Sequence, residues 1–266
     1  MATRTTGRKV FVIIDATHER HLALERLVIT SEIEEPDTHI PLFISVDGER
    51  CDLHASNDAL YRDDQWLKSR TKQLKGAGAS YCFELCWSSE WQKAVLRSAQ
   101  RFNPDHIFMP TPQDNKKSLF SNQQWVLLRT TGAPVSIVRS CEIKPRRKLF
   151  AAINIQKQDD PAYARLNEKI LARGQQMAGH YGAYFYVINA YKDNMHYPVR
   201  HKVEKIYGLP SNRVPLEEGD PTSVISRYAK EIDADTVVIG TMARQGLRRS
   251  CAAIPRKNSS ISLIGM

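Results

Sequence analysis

The stretch VVIGTMARQG, Val237 to Gly246, carries the strongest chemical content in the chain. An apolar run that breaks at Gly240 into a short turn reaching Gly246 lets backbone approach a bound group closely. Amides at the start of a following helix would then face a phosphate. Arg244, with Arg248 and Arg249 beyond it, supplies positive charge for that phosphate, and a solvated basic helix start accounts for the same residues equally well. The stretch lacks the Gly-Lys-Ser/Thr of a Walker loop, and the chain has no Ser-His-Asp elbow. His18 and His21 follow the first apolar run closely enough to line a cleft, although a solvent-facing helix start explains them better. His196 and His201 have no Cys or acid at metal-ligand spacing, so the reading is no metal and no catalytic residues.

The chain has 266 residues, 42% of them hydrophobic, and a formal charge of +9. This length suits one large domain or two of ordinary size. Five cysteines, an odd number without a CxxC pair, argue against a disulfide framework and a structural zinc site. Cys82 and Cys86 lie in an apolar run and are expected to be buried reduced thiols. Much of the positive charge sits in KPRRK, Lys144 to Lys148, and in the arginines after Gly240. No aromatic-basic signature accompanies them, so nucleic acid is not the expected partner. There is no apolar run of membrane-spanning length, and MATRTTGRK does not read as a secretory leader, so a soluble cytoplasmic protein is expected.

One pattern occurs twice. KVFVIID, Lys9 to Asp15, resembles KLFAAIN, Lys148 to Asn154, and AQRFNPDHIFMP, Ala99 to Pro110, aligns without gaps on AKEIDADTVVIG, Ala229 to Gly240. Each of the second pair is the end of an amphipathic helix, a turn carrying Asp105 or Asp235, and a buried strand. Continuous apolar strands alternating with helices imply a parallel sheet covered on both faces. Strands are expected near 10–15, 39–46, 80–86, 106–109 and 135–138, and again near 149–154, 185–190, 213–216 and 236–239. Helices are expected over 161–179, around 201–207 and over 222–232, with Asp220 and Pro221 as the cap and first turn of the last. The fold class is therefore α/β.

These residues resemble the universal stress protein family, in its tandem E type. The likeness covers nearly the whole chain and is carried by the acid or amide ending each first strand, by WVLLRTTGAPVSIV, Trp125 to Val138, and by VVIGTMARQG. It implies two doubly wound parallel five-stranded sheets of order 3-2-1-4-5, in domains of residues 1–143 and 144–266 that form a pseudo-dimer. Association into homo-oligomers is compatible with it. It also implies a regulatory, non-enzymatic role in resistance to starvation, oxidative stress or DNA damage, and an adenine nucleotide such as ATP in the second domain. A nucleotide alpha-hydrolase-class enzyme and a basic nucleic-acid binder are the alternatives. Carried over by position, Asn154 would contact the nucleoside, Val187 the adenine edge, and Gly240, Met242, Ala243, Arg244 and Gly246 the phosphate side. The chain departs from the family pattern at Ala243, where a second glycine belongs, and at Asn154, which replaces an acid. The first repeat has MPTPQDNKKSLF in place of the glycine loop.

The family motif places another glycine at position 253, where this chain has Ala253. The second domain is accordingly expected to lack its last helix and strand, leaving the strand over Thr236 to Ile239 at a sheet edge. Reading the coding sequence one base earlier from Ser250 permits a glycine at the required place followed by an amphipathic helix, so residues 251–266 are read as a shifted frame.

Overall fold

The computed structural model describes residues 8–15, 20–33, 39–47, 64–76, 80–88, 90–111, 126–128, 130–139, 143–157, 159–192, 197, 208, 213–242 and 260–265. The strands are β1 (Val10–Asp15), β2 (His39–Asp47), β3 (Ser80–Ser88), β4 (His106–Pro110), β5 (Val135–Val138), β6 (Lys148–Ile153), β7 (Tyr184–Tyr191), β8 (Leu216–Glu218), β9 (Thr236–Thr241) and β10 (Ser260–Gly265). The helices are α1 (Leu22–Ile33), α2 (Asp64–Gly76), α3 (Trp91–Phe102), α4 (Pro161–Tyr181) and α5 (Pro221–Glu231). The expected helix around 201–207 lies outside the described residues.

The strands join in one sheet of order β3-β2-β1-β4-β5-β10-β9-β6-β7-β8. The first five form a parallel sheet of order 3-2-1-4-5. Strands β6 to β9 repeat the order of its first four, again in parallel. The α/β fold class stands, and one expectation is corrected. Strand β9 is not at an edge: β10 runs parallel to it over six residues and antiparallel to β5, so β10 joins the two repeats.

The aligned aspartates show why the repeat is local as well as global. Asp105 accepts from the Lys9 amide at 2.8 Å, while Asp235 accepts from the Arg147 and Lys148 amides at 2.7 and 2.9 Å. Asn103 and Asp233, two residues ahead of them, both adopt φ of 50°, a left-handed turn that asparagine and aspartate tolerate. Each turn therefore fastens the entry of the fourth strand to the entry of the first. At α5, Asp220 caps the helix by accepting from the Ser223 amide at 3.1 Å, with Pro221 in the first turn. Asp160 and Pro161 start α4 in the same manner.

The two faces of the sheet are packed differently. Under α3 and α5 one apolar cluster runs through both repeats, from Phe11, Phe43 and Ile107 across Val135 and Ile137 to Val237, Phe150 and Ile188. On the opposite face the core is divided. One cluster lies under α1, with Val12, Leu27, Phe108 and Val138, and a second lies under α4, with Leu149, Ile170, Val187 and Val238.

Cys82 and Cys86 correct another expectation. Both are free thiols on the edge strand β3, Cys82 exposed and Cys86 half-buried. Partial burial and the nearby Glu84 carboxylate push both thiols up, which keeps them protonated and unreactive.

Candidate functional site at the carboxyl edge of the second repeat

In a doubly wound sheet the crevice for a ligand opens where strand order reverses, beyond the carboxyl ends of the strands. In the second repeat that point lies between β6 and β9. Asn154 follows the last residue of β6, Gly240 lies near the end of β9, and Met242 follows its last residue. The structure thus brings three of the sequence-derived candidates to one crevice. Ala243, Arg244 and Gly246 lie outside the described residues.

Val187 is not at that edge. It lies inside β7, fully buried and packed in the cluster under α4, so its side chain belongs to the core. Gly240 has a packing role of its own. A Cβ built there would meet Ile170 Cδ1 at 2.6 Å and Leu166 Cδ1 at 2.7 Å, because α4 crosses β9 at this residue. Its lack of a side chain is required by helix-on-sheet contact whether or not a ligand binds.

Three amide side chains brace the crevice, and none of them was a sequence-derived candidate. Asn167, in the second turn of α4, holds the backbone of Asn154 from both sides: its Oδ1 accepts from the Asn154 amide at 3.2 Å and its Nδ2 donates to the Asn154 carbonyl at 2.9 Å. Asn189, near the end of β7 and fully buried, accepts from the Ile155 amide through Oδ1 at 3.0 Å. That bond fixes the orientation of the Asn189 amide and leaves its Nδ2 as a donor. Gln156 Nε2 completes the bracing by donating to the Ala190 carbonyl at 3.1 Å. The turn Ile155–Lys157 is thereby tied to both β7 and α4.

Two buried atoms in this arrangement have no partner among the described residues, Asn154 Oδ1 and Asn189 Nδ2. An unpaired buried acceptor or donor costs about 1–3 kcal/mol, so such atoms rarely persist without a ligand, water or ion to meet them. One accepts and the other donates, and neither carries charge. The site therefore suits a neutral polar group such as a sugar hydroxyl or a base edge. Among the described residues no cluster of three His, Cys, Asp or Glu could hold a metal ion.

Fold and sequence point to one class, the two-repeat doubly wound α/β proteins. No family model matches the chain. Individual relatives do: it is 22% identical to the universal stress protein E homolog of Haemophilus influenzae over 90% of this chain and 89% of that protein. It is also 22% identical to universal stress protein E of Escherichia coli, over 68% of this chain and 65% of that protein. Among solved structures, a universal stress protein of Archaeoglobus fulgidus superposes with a TM-score of 0.71 at 14% identity, covering 96% of both chains. A functionally unknown protein of Pseudomonas aeruginosa PAO1 gives 0.77 at 21% identity, with 98% of this chain and 93% of that one covered. The chain thus resembles the universal stress proteins in sequence and in fold, and the sequence relatives it matches are of the E type. No helix among the described residues is long and apolar enough to cross a membrane.

Proposed function

We propose that the chain is a cytoplasmic, non-catalytic regulatory module of the stress response, organised as domains 1–143 and 144–266, whose second domain takes an adenine nucleotide. The observation carrying this reading is the pair Asn154 Oδ1 and Asn189 Nδ2, buried at the switch point without partners among the described residues. Asn154 Oδ1 accepts from a ribose hydroxyl, and Asn189 Nδ2 donates to the nucleoside. The phosphates extend beyond Met242 towards Ala243, Arg244 and Gly246. With an amide in place of an acid at position 154, the nucleoside is held by neutral hydrogen bonds, and Arg244 supplies positive charge for the phosphates.

Titration of the full chain with a fluorescently labelled ATP analogue tests the reading. Saturable binding is expected, weakened about tenfold by Asn154→Ala, as removal of one hydrogen bond of ordinary strength predicts. Absence of binding, or equal binding by Asn154→Ala and Asn189→Ala, would overturn it.

A further inference from the structure

The divided face of the sheet contains a polar seam between α1 and α4. His106 on β4, Ser136 on β5 and Thr236 on β9 are all fully buried there, on the same face as Val10, Val138 and Val238. His106 Nε2 meets Ser136 Oγ at 2.8 Å. From the helices and the linker come Arg26, Thr30, Arg173, Tyr181 and Arg146. Arg26 donates to the Lys144 carbonyl at 2.7 Å, and the Arg146 guanidinium stacks 5.2 Å from the Tyr181 ring while Nη1 reaches its hydroxyl at 3.5 Å.

Arg146 is 2% exposed, yet its Nε and Nη2 have no partner among the described residues. His106 Nδ1 and Thr236 Oγ1 are buried and unpartnered in the same way. Burial, reinforced by the guanidiniums of Arg173, Arg8 and Arg146, holds the His106 imidazole well below its usual range. A buried guanidinium without a counter-charge is strongly unfavourable, so such groups are paired or neutralised. Nε and Nη2 of arginine point the same way and match two oxygens of one anion.

We propose that the seam between α1 and α4 binds a small tetrahedral oxyanion of the inorganic phosphate or sulfate type, with Arg146 as its bidentate donor. The anion supplies a partner for Nε and Nη2 of Arg146 and fastens the two repeats on the face where their apolar cores do not merge. The ligand proposed is the free oxyanion and not a nucleotide. This site is separate from the crevice at Asn154.

Inorganic phosphate is the probe. In chloride buffer, the full chain is expected to bind phosphate saturably by calorimetry and to melt several degrees higher when saturated, with sulfate competing. Arg146→Lys, which keeps the charge but loses the two-pronged geometry, should weaken phosphate binding at least tenfold. Arg146→Met should abolish it, and Asn154→Ala should leave it unchanged. Absence of saturable binding by the native chain would overturn the proposal whatever the variants do. So would unchanged affinity in Arg146→Lys, loss of binding in Asn154→Ala, or displacement of phosphate by ATP.

Discussion

Thr30 and Tyr181 meet at 2.8 Å, hydroxyl to hydroxyl, across 151 residues of chain. Thr30 Oγ1 already donates to the Arg26 carbonyl at 2.9 Å, so the Tyr181 hydroxyl donates to Thr30 and is left to accept from Arg146. One run of hydrogen bonds, Arg146 to Tyr181 to Thr30 to the Arg26 carbonyl, therefore buckles α1 of the first repeat to α4 of the second. Tyr181→Phe removes the middle link with little change of shape and should cost about 1 kcal/mol of stability. A double-mutant cycle with Thr30→Val, measured by chemical denaturation, should show a coupling of roughly 0.5–1.5 kcal/mol. Strict additivity would mean the buckle contributes nothing.

The paired aspartates predict an unequal response. Asp235 receives two backbone amides and is half-buried, whereas Asp105 receives one and is exposed. Asp235→Ala should cost about 1–2 kcal/mol and Asp105→Ala under about 1, because an exposed amide finds water in place of its lost acceptor. Denaturant midpoints compare them directly, and a reversed order would refute the argument from exposure.

Gly240→Ala places a methyl group against Leu166 and Ile170 of α4. Those side chains must shift, a change that typically costs about 1–3 kcal/mol in a packed core. The loss of melting temperature should be the same with and without nucleotide. A loss seen only in nucleotide affinity would instead mark Gly240 as purely a ligand residue.

The buried His106 sets a pH dependence. Its imidazole is depressed by burial and by Arg173, Arg8 and Arg146, so the unfolded chain takes up a proton at a higher pH than the folded one. Folding then releases protons, and stability rises with pH in that window. The contribution is fully present above about pH 6.5, the ordinary histidine value, and is lost as the pH falls towards the depressed folded value. Melting temperature should drop between pH 7 and pH 5, and His106→Gln should flatten that drop. An identical slope in the variant would assign the effect to other groups.

What the sequence revealed followed the range of each physical signal. Strand periodicity and the gapless match of Asp105 to Asp235 are local, and they led correctly to the parallel order and the paired turns. Asn154 was a candidate through the family resemblance, which carried it over by position just after the first strand of the second repeat. Asn167 and Asn189 were not, since one looks like a polar helix residue and the other like an interruption of an apolar strand. Their role exists only once α4 and β7 converge on the backbone of Asn154 and Ile155. The strand over Ser260 to Gly265 escaped for a similar reason, because its pairing with β5 spans more than a hundred residues. The frame reading from Ser250 concerns residues of which only 260–265 are described, and sequencing the gene across the Ser250 codon decides it. A stop codon close downstream in the earlier frame would reject it.

The sheet reverses its direction once, at the antiparallel contact of β10 with β5. The carboxyl ends of the first five strands consequently point away from those of β6 to β9, and the two switch points open on opposite rims. Whatever docks above Asn154 stands on the rim opposite the first repeat's switch point. The two rims share no strand end, and the Arg146–Tyr181–Thr30 buckle is one of the contacts that hold the repeats carrying them together.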